Sequence, residues 1–188
     1  FNTDSSSLEW YDSVYSSWFP INVISPIATG GSVTDITQNS INYRVHSFTN
    51  VGSSNFTVSR QGIVEFLIVA GGGAGGDTDA GGGGGGGVLI GSINLPVNTY
   101  EIYVGAGAPQ QTTNDIAGLN GENSSAFGFV AVGGGGGGCN TNRVGAGNEP
   151  PGNGGSSGAY GSFTSSNPAI ANAGQGNSGG VSGGSAGG

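Results

Sequence analysis

Residues 63–87 read IVEFLIVAGGGAGGDTDAGGGGGGG. The first eight, Ile63 to Ala70, are nearly all apolar and rich in β-branched side chains, which marks the strongest strand of the chain. A glycine run broken by Ala74 follows, then Asp77, Thr78, Asp79 and Ala80, then seven glycines. A free glycine chain loses about 1–2 kcal/mol of backbone entropy per ordered residue. A lone glycine tract would therefore be a linker. These runs differ because strands pin both of their ends. Backbones without side chains can approach closely in the polyproline II conformation, which makes no internal hydrogen bonds. Their N–H and C=O groups must then pair laterally. Six residues at about 3.1 Å each span roughly 19 Å, the length of a short strand. Runs 71–76, 81–87 and 133–138 are thus expected to form a bundle of polyglycine II helices beside a sheet, with the C-terminal region extending it. The competing reading makes them loops.

Working outward, Ile41–Phe48 alternates apolar and polar residues, the period of a half-buried strand, with His46 on its polar face. Further strands are read at Phe56–Val58, at 87–90 with 93–95, at 99–104 and at 125–132, with turns at 50–55, at Gln61-Gly62 and at Pro96. The expected fold is mainly β: a small antiparallel β-sandwich with packed polyglycine II helices and few or no α-helices. Three parts are expected: an aromatic docking segment (1–40), a β domain with inserted glycine runs (41–132) and a glycine-rich region (133–188). The first 26 residues hold both tryptophans. Trp10, Tyr11, Tyr15, Trp18 and Phe19 are the expected assembly residues, and Ser7 could cap one helical turn over Leu8–Tyr15.

Of 188 residues, 43 are Gly; lysine is absent, three Arg face eleven carboxylates, and the net charge is −8. Phosphate binding needs clustered cations, so nucleic acid is excluded as a partner, and anionic membranes are poor partners for the same reason. No apolar run approaches the roughly 20 residues of a membrane span. The chain opens on Phe1 without a leader pattern, which points to a processed form or a piece of a longer product. One cysteine, Cys139, provides no internal disulfide. It reads as a small residue in a tight place.

Several patterns imitate chemistry. Ile68 to Gly76 matches a strand followed by G-x-G-x-x-G, but that fingerprint needs a helix next, and glycine costs about 1 kcal/mol per helical position. A phosphate loop of the Walker type lacks its lysine, and His46 has no G-x-S-x-G partner, so no enzyme is expected. Asp77 and Asp79 are weak candidates for metal, since the further oxygen donors and bidentate Glu of a calcium loop do not follow. No cofactor is implied. Asn55-Phe56-Thr57 and Asn123-Ser124-Ser125 match the glycosylation pattern in a chain rich enough in Asn and Ser to do so by chance. Tyr160 and Phe163, isolated in small-residue sequence, suit receptor contact or packing on the glycine bundle.

The succession YRVHSF (43–48), FTV (56–58), IVEFLIVAGGG (63–73), the glycines of 81–87, YEIYVGAG (100–107), NGENSSAFG (120–128) and the glycines of 133–138 resembles the glycine-rich domain of bacteriophage tail-fibre and adhesin proteins. The resemblance covers roughly residues 40–188. It implies a β domain followed by packed polyglycine II helices, host recognition through loops at the distal end, and often a trimer. The expected function is that of an extracellular structural and adhesive protein, a tail-fibre or tail-tip adhesin that meets a host glycan or protein through loops such as 148–157 and 160–166. The alternative is a subunit of an extracellular filament or surface layer, joined to its own copies through the N-terminal segment.

Overall fold

The computed structural model describes residues 9–12, 17–20, 25–77, 80–112, 116–139, 151–161 and 169–180, the first two stretches by backbone alone. Period-two alternation builds its main sheet. Strands β1 (Glu9–Asp12), β2 (Ser17–Pro20), β3 (Ile27–Thr29), β4 (Ser32–Gln38), β5 (Ile41–Ser47) and β6 (Gly52–Arg60) come first. They are followed by β7 (Gly62–Val69), β8 (Val88–Leu95), β9 (Asn98–Val104), β10 (Ser124–Ala126) and β11 (Phe129–Ala131). A five-stranded antiparallel sheet runs β11-β10-β9-β6-β3, and β7–β8, β4–β5 and β1–β2 form two-stranded ribbons. All these ladders are antiparallel. No α-helix occurs among the described residues.

The β7–β8 ribbon packs against β10 and β11, giving two β layers. Between them lie Phe56 and Val58 of β6, Ile68 of β7, Leu95 of β8, Ile102 of β9, Ala126 and Ala131. Val58 and Leu95 are the largest fully enclosed side chains, and burying each such side chain contributes about 1.5–3 kcal/mol. Phe127 stands edge-on to Phe56 and Tyr100 and closes this core.

Several expectations are corrected. Glu9–Asp12, within the helical turn expected over Leu8–Tyr15, is strand β1, paired with β2 so that Trp10 is opposite Phe19 and Tyr11 opposite Trp18. Aromatic residues favour the pleated ribbon, and so short a helix is marginal alone. The stretch 125–132 is not one strand: Phe127 and Gly128 take positive φ (56° and 84°) and fold it into the β10–β11 hairpin. β6 begins at Gly52, inside the expected turn. The β4–β5 hairpin turns at Asn39 and Ser40, and β3 is an edge of the main sheet. His46 is half-buried: its Nδ1 lies 2.8 Å from the Gly30 carbonyl and its ring stands edge-on to Phe56.

The glycine runs are ordered. β7 and β8 pair from Gly62↔Leu95 to Val69↔Val88. The same register then continues without a shift, Ala70 N–H donating to Gly87, Gly73 to Gly84 and Gly76 to Gly81. Only the repeat changes, from two residues to three. Rods I (70–77) and II (81–87) are thus the far half of one long hairpin. Rods III (105–108), IV (116–123), V (133–138), VI (152–155), VII (156–160) and VIII (175–180) complete the bundle, each linked to a neighbour by backbone bonds.

Rod V is the axis. Its six residues are all buried. Gly134 and Gly137 donate to Gly71 and Ala74 of rod I, while Gly135 and Gly138 donate to Ser156 and Ala159 of rod VII. Gly133 and Gly136 donate to the side-chain oxygens of Asn123 and Asn120. The carbonyls of 133 and 136 accept from Gly155 and Gly152, those of 134 and 137 from Gly121 and Gly118, and those of 135 and 138 from Gly84 and Gly81. Every one of these bonds is 2.7–2.9 Å long. Lateral bonding with period three is the lattice of polyglycine II.

Side chains are excluded by backbone, not by other side chains. A Cβ on Gly135 would overlap the Gly152 carbonyl, and one on Gly84 the Ser156 carbonyl. At Gly82 and Gly85 it would meet nothing within 4 Å. Gly135→Ala and Gly84→Val are therefore expected to cost about 3 kcal/mol or more, lowering the melting temperature by about 6–12 °C. Gly82→Ala should be neutral or stabilise by up to about 1 kcal/mol. Thermal unfolding of dilute protein followed by circular dichroism checks all three; equal effects would mean that the runs are loops.

Candidate functional site

Rod polarity gathers the chain's connections at one end. Rods I, V and VII ascend from the sheet, while II and IV descend toward it, as the pairs Gly76–Gly81, Asp77–Ile116, Gly81–Gly138 and Gly138–Ala159 require. Rod III ascends as well, with Ala108 bonded to Gly72 and the Gln111 amide to the Ala117 carbonyl. The chain therefore leaves the bundle near 77, 112, 139 and 161, and returns near 80, 116, 151 and 169. The described rod ends at 77, 112, 139 and 161 all lie at the end opposite the sheet.

Along its length the bundle is held by side chains that imitate backbone. Rods I, II, VII, VI and IV ring rod V, and the sixth place around it holds Asn120 and Asn123, three residues apart in step with the lattice. Asn153 Oδ1 accepts from Ile170 N–H at 2.7 Å, and buried Ser157 donates its hydroxyl to Ala169. At the sheet end Gln175 accepts from Val132 N–H and donates to the Val130 carbonyl. The sequence gives these amides one signal, their spacing of three beside glycine; read as low complexity, that signal is invisible. Asn123, met as part of a glycosylation pattern, is occupied by the Gly133 N–H at 2.8 Å.

The residues singled out from sequence fall in different places. Tyr160 is 6% exposed and its N–H donates to Gly180. Phe163, Asp79 and Tyr15 lie outside the described residues. Trp10, Tyr11, Trp18 and Phe19 lie on the β1–β2 hairpin, whose backbone alone is described. Asp77 sits where rod I ends, its N–H donating to Ile116. Cys139 is buried at the end of rod V. In the stretch that matches G-x-G-x-x-G, the N–H groups of Gly71, Gly73, Ala74 and Gly76 donate to the carbonyls of Glu122, Gly84, Leu119 and Gly81. They serve the bundle, not a pyrophosphate.

Charge is sparse around this frame. Arg44 reaches Asp35 at 2.8 Å across the β4–β5 ribbon, and its guanidinium holds the Asp35 carboxyl below the usual range. Both are exposed, so the pair contributes little. Tyr103 donates its hydroxyl to Glu122 Oε2, which also accepts from Ala106 N–H, each at 3.1 Å. That bond, and then the charge of Glu122, raise the Tyr103 pKa.

A family model described as a glycine-rich domain matches residues 49–188. The match takes in β6–β11 and the whole bundle and leaves out β1–β5. No curated protein and no solved structure matches the chain.

Two outcomes follow from this geometry. Asn120→Ala and Asn123→Ala each leave a buried glycine N–H without its acceptor and should cost about 1 kcal/mol, whereas Asn120→Asp keeps the acceptor and should cost less; urea unfolding measures the difference. The raised Tyr103 pKa means that its bond to Glu122 stabilises the fold below the ordinary tyrosine value of 10.0 and is lost as pH rises through the raised one. Glu122→Gln should bring Tyr103 ionisation down toward that ordinary value, read as tyrosinate absorbance with Tyr103→Phe as reference.

Proposed function

Because the chain belongs to the glycine-rich domain family, we propose that it is an extracellular structural and adhesive protein, a bacteriophage tail-fibre or tail-tip adhesin that meets a host-surface glycan or protein. The observation that carries this reading is that the rod ends near 77, 112, 139 and 161 lie together at one end of a glycine-rich bundle. Rods bonded around a fully satisfied central rod make a stiff mount, and variable chemistry is confined to what the mount displays. The net charge of −8 and the absence of lysine fit a partner other than nucleic acid or an anionic membrane. The connections 140–150 and 162–168 supply the recognition residues in this reading, Phe163 among them.

A second reading has its own observation. The β1–β2 and β4–β5 ribbons pair only with themselves, and a two-stranded ribbon is marginal in water. The apolar side chains Ile36, Ile41 and Val45 stand exposed on β4–β5. A subunit of an extracellular filament or surface layer would cover such ribbons with a neighbouring copy.

Immunogold electron microscopy of the source material distinguishes the two. Gold at virion tail tips is expected, together with loss of cell binding when 162–168 is replaced by a Gly/Ser segment of equal length at unchanged melting temperature. Gold spaced along free fibres, with assembly lost on removing residues 1–26, would instead establish the filament.

A further inference from the structure

Among the described residues, one face of the long hairpin of 62–95 stays largely uncovered, the side turned away from β10, β11 and rod V, although the Gly72, Gly82 and Gly85 carbonyls at its margins accept from Ala108, Ala159 and Ser156. On its strand half stand Ile63 (70% exposed), Leu67 (64%), Val69 (51%), Val88 (38%) and Ile90 (81%). Leu67 is directly opposite Ile90, and Val69 opposite Val88, so these four side chains form one continuous ridge, with Ile63 beyond the Glu65–Ser92 pair. Glu65 is its one charged residue. A contiguous exposed apolar ridge of this kind marks an interaction site.

The rod half of the same face is bare. It is lined by Gly72, Gly75, Gly82 and Gly85. A Cβ at 82 or 85 would meet nothing within 4 Å, and at 72 or 75 only ordinary contacts at 3.8 and 3.6 Å. None of the four has a positive φ. Among the described residues, their N–H groups donate to no protein acceptor. The chain's own packing therefore does not require glycine there, although glycine makes the unfolded state more favourable. A close surface from outside does require it.

The two halves fit each other. The strand half, eight residues at about 3.3 Å, is roughly 26 Å long, and rod I, at about 3.1 Å per residue, is nearly as long. Rotation by 180° about an axis that lies in the face and crosses the hairpin at the 69/70 junction puts the ridge of one copy on the bare half of the other. Leu67 then lies over Gly72 of the second copy, Ile90 over Gly85, and Val69 over Ala70, one residue along from the second copy's Val69. On a chain of net charge −8, this is also a face where two copies meet with only Glu65 charged on each. We infer that the chain pairs with a second copy of itself through this face, as an isologous two-fold dimer with ridge on glycine. The inference does not depend on the receptor.

Sedimentation equilibrium of the full chain over a range of concentrations tests it. A monomer–dimer equilibrium is expected. Ile90→Lys on the ridge and Gly85→Asp on the bare half should each weaken it at least about tenfold, with the melting temperature of dilute protein unchanged because both sites are exposed. Under mild oxidation Val69→Cys should cross-link to itself and Ile63→Cys should not. A chain that stays monomeric, a trimer, a dimer indifferent to either substitution, or self-cross-linking of Ile63→Cys would each overturn the proposal.

Discussion

A polypeptide backbone can be buried without side chains only if all its hydrogen-bonding groups are met from outside. Rod V satisfies that condition completely, and the rest of the bundle is arranged around it. Its N–H and C=O groups point outward in a three-residue cycle, so its partners must be spaced three residues apart on surrounding rods. Five rods meet the requirement with backbone and the sixth position meets it with asparagine. At about 1 kcal/mol net per bond and two bonds per residue, rod V roughly balances its ordering entropy of about 1–2 kcal/mol per residue. Its neighbours, with outward groups in solvent, rely on the strands that hold their ends.

The β layers therefore do more than form a small apolar core. β7 and β8 deliver rods I and II already in register, and β11 leads directly into rod V. Phe56, Val58, Ile68 and Leu95 fix those strands, so a core of a few large side chains sets the placement of a bundle that contains almost none. The division of labour also explains the composition: apolar residues concentrate where the chain must be fixed by burial, and glycine where it must be fixed by hydrogen bonds.

Much of this was legible from residues 63–87. An apolar β-branched run ending in glycine, followed by a second glycine run and another strand, describes a hairpin whose far half has no side chains. The identity of the three runs followed from the need to pair backbone groups. Other features were hidden because their determinants are few or nonlocal. β3 is a three-residue edge strand set by pairing with β6, sequentially distant. β4, SVTDITQ, is exposed along its whole length and so carries no burial pattern. Asn39 and Ser40 make its turn through positive φ without the Asn-Gly signature. The break at Phe127 defeats a reading based on hydrophobicity, because the residue at the turn is itself an aromatic that folds back on the core. Asn120 and Asn123 act through a period that polar low-complexity sequence conceals. Tyr160 shows the converse: an aromatic among small residues suggests display, yet the rods enclose it.

Six identical residues in rod V have a consequence for how the lattice acquires its phase. A polyglycine helix moved along its axis by one residue and turned by a third of a revolution is indistinguishable from itself. Nothing inside rod V specifies which glycine meets which carbonyl, and slipped arrangements are locally degenerate with the native one. Degeneracy is broken from outside, by β11 at one end, by the Asn120 and Asn123 pair along the side, and by Ala74 in the facing rod. The asparagines thus act as index marks on an otherwise featureless rule, converting a sliding contact into a defined one.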